Sequence, residues 1–148
     1  FVYFLGLLDR LKDEAGQEML ERLAVPPRVR KRVMASRLHC REVLFEFYRN
    51  TSILPSRVYE LLKPLDIEQI LLMMAKARKE SAKRYISLYL THLREISVAV
   101  TGDDLKEMGI PPGPRYKKIL TELLEAKLDG LVKTADDERE FVRKTSVR

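Results

Sequence analysis

Apolar residues recur at steps of three and four along almost the whole chain, the spacing that gathers them on one face of a helix. The longest such stripe is Val29, Val33, Ser36, Cys40, Val43/Leu44 and Phe47. The clearest short one is Tyr116, Leu120, Leu123 and Leu124. No alternating run rich in Val, Ile and Thr and bounded by hairpin turns occurs, so no strand is predicted. The pattern reads as an all-α chain, an irregular multi-helix bundle of about eight or nine helices with no sheet.

Breakers and caps set the expected boundaries. A first helix spans Phe1 to about Lys12, and a short second one runs from Gln17 to Ala24 with Met19, Leu20 and Leu23 inward. Pro26-Pro27 closes it and opens a long third helix to Tyr48, because proline suits a first helical turn and not an interior. Asn50-Thr51-Ser52 is a turn, and a fourth helix starts at Pro55 or Ser56 and stops before Pro64. Asp66 is placed to cap Ile67 to Arg78, with Glu68 and Gln69 in the first turn. Ser81 caps a helix carrying Ile86, Tyr89, Leu90, Leu93 and Ile96. Thr101-Gly102-Asp103-Asp104 starts a short helix that closes at Gly109, and Gly109 to Pro114 is a rigid turn. An amphipathic helix then runs to Leu128 with Gly130 as its stop, and a last helix spans Asp136 to Arg143. The loop Ser97 to Val100 is the expected boundary between a helical body, 1–98, and a helical tail, 99–148.

The 148 residues suffice for one domain or two small ones, and an apolar share of 45% argues against disorder. The single cysteine, Cys40, forms no disulfide framework, is consistent with a reducing compartment, and sits on the third helix's apolar stripe as a small core residue. No apolar run reaches the roughly 18 residues of a membrane span. The opening Phe1-Val2-Tyr3-Phe4-Leu5 has neither Met nor a cationic leader and reads as the middle of a buried helix, so a fragment of a longer chain is expected. No Gly-rich phosphate loop and no cysteine pair occur, and His39 and His92 stand outside any metal-ligand spacing. Both are read as structural or surface residues; no catalytic residue and no metal ligand is assigned.

Charge narrows the picture further. The chain carries 28 Lys and Arg against 22 Asp and Glu, a net +6. Two segments hold the excess: residues 25–49 have seven basic against two acidic groups, and 76–94 have six against one. On the third helix Arg30, Arg37 and Arg41 fall in one narrow stripe a quarter-turn from the apolar one. Such a row could follow a phosphate backbone while its neighbouring face packs inward. Arg28, Lys31 and Arg32 crowd the same helix's N-terminal turn, where cations oppose the dipole, and Lys83 and Arg84 repeat that conflict. A local cost without a structural gain points to function; a solvated cationic face is the open alternative. Sequence-independent phosphate contact is the expected mode. Tyr85 and Tyr89 are read as core, so backbone recognition is preferred to single-strand stacking. Reversing Arg30 and Arg37 to Glu is expected to weaken binding without unfolding the chain.

The segment Asp104 to Ile119 echoes a helix-hairpin-helix element, in which a glycine turn and a helix N-terminus offer N–H groups to phosphate. Pro111-Pro112 lengthens the turn and removes two donors, and a purely structural corner is the alternative. The candidate phosphate-binding set is Arg28, Arg30, Lys31, Arg37, Arg41, Lys79, Lys83 and Arg84, with Arg115, Lys117 and Lys118 after the Gly109–Gly113 turn.

Thr101-Gly102-Asp103-Asp104-Leu105, Met108-Gly109-Ile110-Pro111-Pro112-Gly113-Pro114, Ile119-Leu120 and Leu128-Asp129-Gly130 resemble the tail of bacterial class II tRNA nucleotidyltransferases, the poly(A)-polymerase-like family of CCA-adding and A-adding enzymes. Upstream, Met74-Ala75-Lys76-Ala77 and Arg84-Tyr85-Ile86-Ser87-Leu88-Tyr89-Leu90 resemble the body of its longer members. The resemblance implies addition of CMP and/or AMP to tRNA 3′ ends, with magnesium and ATP or CTP held by a head domain. The head's Gly-rich strand-turn and paired aspartates are absent here. It therefore implies a cytoplasmic, cofactor-free and inactive body and tail that hold the acceptor/TΨC arm of tRNA beside a missing N-terminal head. A helical protein–protein module remains the alternative, with Phe1-Val2-Tyr3-Phe4 and Met73-Met74 facing a missing domain or a second copy. No membrane partner is expected.

Overall fold

In a computed structural model, residues 2–50 and 52–146 are described; the expected helix start at Phe1, Thr51 of the expected turn, and the Val2 and Phe4 side chains lie outside that part. Every regular element among the described residues is helical: α1 (Val2–Leu7), α2 (Asp13–Arg22), α3 (Pro27–Arg49), α4 (Pro55–Leu62), α5 (Ile67–Lys76), α6 (Glu80–Thr91), α7 (Gly102–Glu107), α8 (Pro114–Leu128) and α9 (Ala135–Ser146), with a 3₁₀ turn at Leu93–Glu95. The all-α reading stands. The chain divides into two compact units, residues 1–52 with 61–87, and residues 53–60 with 88–148.

Local chemistry explains most helix ends. Asp66 and Gln69 form a capping box at α5, the Asp66 N–H donating to Gln69 Oε1 at 2.8 Å. Thr101 and Asp104 do the same at α7, and that hydrogen bonding holds the Asp104 carboxyl below its usual range. Gly109 and Gly130 take positive φ, 79° and 76°, just past α7 and α8. There the N–H groups of Ile110 and Leu131 reach back to the Leu105 and Ala126 carbonyls, closing each helix with a left-handed residue. Gly113 is extended, a conformation open to any residue.

Several expected boundaries move. The first helix ends at Leu7, and α2 begins at Asp13 rather than Gln17, with Asp13 and Glu14 favourably placed against its N-terminal dipole. α6 begins at Glu80, so Ser81 lies inside its first turn and does not cap it, and it ends at Thr91 before the 3₁₀ turn, so Ile96 lies beyond it. The last helix runs three residues further, to Ser146.

In the first unit, Leu5, Leu8, Leu20, Val25 and Val33 form one buried cluster drawn from α1, α2, α3 and the turns that follow α1 and α2. Cys40 and Phe47 are buried on the inner stripe of α3, and Phe47 meets Tyr85 of α6 with ring centroids 5.4 Å apart. In the second unit, Val100, Leu105, Ile110, Ile119, Leu123, Ala126, Val132 and Val142 join α7, α8 and α9 around one core. Glu138 of α9 is fully buried beside it. Its Oε2 accepts from the Ala99 and Val100 N–H groups at 2.7 and 3.0 Å, and its Oε1 accepts from Lys127 Nζ at 2.5 Å. The Ser97–Val100 loop, expected as a boundary, is thereby fastened inside the second unit.

Candidate nucleic-acid interface

The stripe of Arg30, Arg37 and Arg41 exists, but it faces α2. Arg30 pairs with Glu21 at 3.1 Å, and Arg41 lies 3.4 Å from Asp13. Arg37 is only 7% exposed; its Nη2 donates to the Leu11 carbonyl, and its Nη1 stands 3.6 Å from Asp13 Oδ1. The acidic residues of the N-terminal segment therefore line up with this stripe and turn it into a seam within the unit. Arg37 is held in the interior, so the expectation that its reversal would spare the fold is corrected. A buried charge with its partners removed is strongly destabilising.

The open cations of α3 are at its ends. Arg28 and Lys31 are exposed and make no ion pair among the described residues. Their turn carries no acidic residue and no side-chain cap, so nothing local offsets their conflict with the dipole. Arg32, on another face, donates to Asp66 at 3.0 Å. At the opposite end, Arg49 is exposed with its guanidinium carbon 5.5 Å from the centroid of the Phe45 ring.

The second basic segment docks at that same C-terminal end. Tyr48 organises it: the Arg78 N–H donates to Tyr48 Oη at 3.1 Å, and Lys79 Nζ donates to the Tyr48 carbonyl at 2.7 Å. Lys79 thus satisfies an end carbonyl of α3, where a cation suits the dipole. Lys83 pairs with Glu80 at 2.7 Å. That hydrogen bond and charge, with Arg84 adding, hold the Glu80 carboxyl below its usual range. Arg84 is exposed and carries no ion pair of its own among the described residues.

In the second unit the turn residues are fixed from within: Tyr116 Oη donates to the Ile110 carbonyl at 2.8 Å. Arg115 Nη2 donates to the Ser146 carbonyl at the end of α9, 2.8 Å away. Lys118 lies 3.8 Å from Glu122, and Lys117 is exposed without an ion pair among the described residues. A groove between α8 and α9 has Ile119 and Phe141 as its apolar floor and Arg115, Lys118 and Lys144 on its rim.

No group of three or more His, Cys, Asp or Glu able to hold a metal occurs among the described residues. Burial pushes the Cys40 thiol up to about 11, against a smaller opposing effect of Lys76, which makes it a poor nucleophile at neutral pH. No helix is long and apolar enough to cross a membrane among the described residues.

Sequence reasoning missed Arg49, which lies 18 residues after Lys31 and so on the same line of the helix; that spacing alone would have found it. It also missed Glu138, whose burial depends on contacts 38 and 39 residues away.

Over 93% of its length the chain is 42% identical to a stretch of the A-adding tRNA nucleotidyltransferase of Geobacter sulfurreducens. The chain spans 16% of that relative's length. The resemblance read from the tail and body motifs thus holds across almost the whole chain. No family model and no solved structure matches it.

Proposed function

We propose that the chain is the tRNA-binding body and tail of a nucleotidyltransferase that adds CMP and/or AMP to tRNA 3′ ends. The 42% identity carries this reading. The open cations Arg28, Lys31, Arg49 and Arg84 on one unit, and Lys117 on the other, support it independently. They suit contacts to phosphate, and they lack the row of exposed aromatics that base stacking requires.

In this reading the chain binds the acceptor/TΨC arm of tRNA and orients its 3′ end. Magnesium, ATP and CTP belong to a catalytic head that these residues do not include. Holding the RNA end near that head raises its effective concentration, which is the chain's share in the reaction. The expected location is the cytoplasm.

The test is a pair of assays on the 148-residue chain. Labelled tRNA should bind with an affinity that falls steeply with salt, and incubation with tRNA, ATP, CTP and magnesium should add no nucleotide. Absence of binding at low salt would overturn the RNA-binding role, and nucleotide addition would overturn the assignment of catalysis to a separate head. Self-association, read by light scattering in the absence of tRNA binding, would favour a helical docking module.

A further inference from the structure

We infer that the groove beside Ser97 and Val98 in the second unit binds an extended peptide strand carrying a carboxylate; this goes beyond the tRNA reading and does not rest on it. Two observations converge. The first is an unpaired backbone edge. Ile96 is extended, and the chain runs on to Val98 without helix, turn or bend. Both ends of this segment are fastened. The Ile96 N–H donates to the Leu93 carbonyl at 3.1 Å, and the Ala99 and Val100 N–H groups are held by Glu138. Between them, the N–H and carbonyl groups of Ser97 and Val98 make no hydrogen bond among the described residues. Such a row is a template for one more strand.

The second observation is what lies beside that edge. Ile96 and Val98 meet Leu120 and Leu124 of α8 in one groove, with Lys117 and Thr121 on its rim. All four aliphatic side chains are half-buried, which leaves apolar surface open to solvent. Alternate side chains of a paired strand point to one side, so every second residue of the guest enters this floor. Lys117 is exposed and makes no ion pair among the described residues, which suits a carboxylate on the guest. An RNA strand suits the groove poorly, because a single cation and no aromatic ring line it. A guest helix keeps its amide groups paired internally and leaves those of Ser97 and Val98 unmet. The fastened ends of the segment spare the ordering cost of a mobile edge.

The experiment selects random peptides of about ten residues, displayed with free C termini, on the 148-residue chain. The best sequence is then made with a fluorophore and titrated by anisotropy. Enriched sequences should alternate apolar and polar positions and carry a carboxylate. Ser97→Pro removes an edge N–H, and Thr121→Arg fills the groove; each should weaken the peptide about tenfold. Both variants should keep the circular dichroism and the tRNA affinity of the unaltered chain. Neutralising the peptide carboxylate should cost about threefold, and nothing further in Lys117→Gln, which identifies the pair. Enrichment of no sequence, enrichment at helical three-and-four spacing, or peptide affinity unmoved by both Ser97→Pro and Thr121→Arg would overturn the site. Loss of tRNA binding in those two variants would assign the groove to RNA and overturn it equally. Failure of the unaltered chain to bind tRNA, with the peptide still bound, would strike the tRNA reading and leave this site standing.

Discussion

The Arg37 guanidinium fills the space left open by Gly16: a Cβ on that glycine would stand 2.9 Å from Arg37 Nη1. Gly16 is buried within α2, and Arg37 reaches past it to the Leu11 carbonyl. Nη1 makes no hydrogen bond among the described residues and is held by the longer ion pair to Asp13. The two residues should be coupled. Gly16→Ala should destabilise the chain when Arg37 is present, because the pinned guanidinium must shift. In an Arg37→Met background the same change should stabilise it by about 0.5–1 kcal/mol, the usual gain for removing a helix-interior glycine. Urea denaturation of the four variants measures the coupling directly; purely additive effects would contradict the packing.

Ala24 occupies the left-handed position that ends α2, at φ 52°, with the Val25 N–H reaching back to the Leu20 carbonyl. Glycine is the usual residue there, because a side chain in that conformation is strained. Ala24→Gly should therefore raise stability by about 0.5–1 kcal/mol, offset in part by greater freedom of the unfolded chain. A lowered melting temperature would count against the assigned helix end.

Acid sensitivity should centre on Glu138. Burial pushes its carboxyl up, but the Lys127 ammonium and the Val100 and Ala99 N–H groups outweigh that and leave it below the ordinary value near 4.5. A group depressed in the folded state stabilises fully above its unfolded pKa and loses that contribution as pH falls through the folded one. Stability should decline below about pH 4.5, and Glu138→Gln should flatten that decline while costing about 2 kcal/mol at neutral pH. Denaturant midpoints between pH 3 and 7 check both; an unchanged acid limb in the variant would show that other carboxylates dominate.

Cys40 should show the opposite sign. Its thiol is raised by burial from 9.0 to about 11, so the folded state holds a proton that the unfolded chain releases between those values. Stability should fall as pH rises from 9 towards 11, and a thiol reagent at pH 8 should react only at the rate of unfolding. Rapid labelling of the native chain would place Cys40 outside the core.

The sequence carried the helices because their signals are local. Pro27, Asp66, Thr101, Gly109 and Gly130 each act within one turn, and the structure uses all five as read. The site was less legible because its signals are not local. Arg30, Arg37 and Arg41 share a stripe, and nothing in α3 alone distinguishes a stripe facing phosphate from one facing Asp13 and Glu21. The sign of the preceding segment held the clue: acidic groups beside a basic helix pair with it first. What remains for a partner is the ends of α3, where Lys31 and Arg49 are exposed and make no ion pair among the described residues.

The most direct measurement is equilibrium binding of tRNA to this chain as salt rises from about 50 to about 200 mM. The predicted result is a linear fall of log affinity against log salt, with a shallower slope when Lys31 and Arg49 are both reversed. Salt-independent binding, or no binding at about 50 mM, would contradict the claim that these residues hold an RNA backbone.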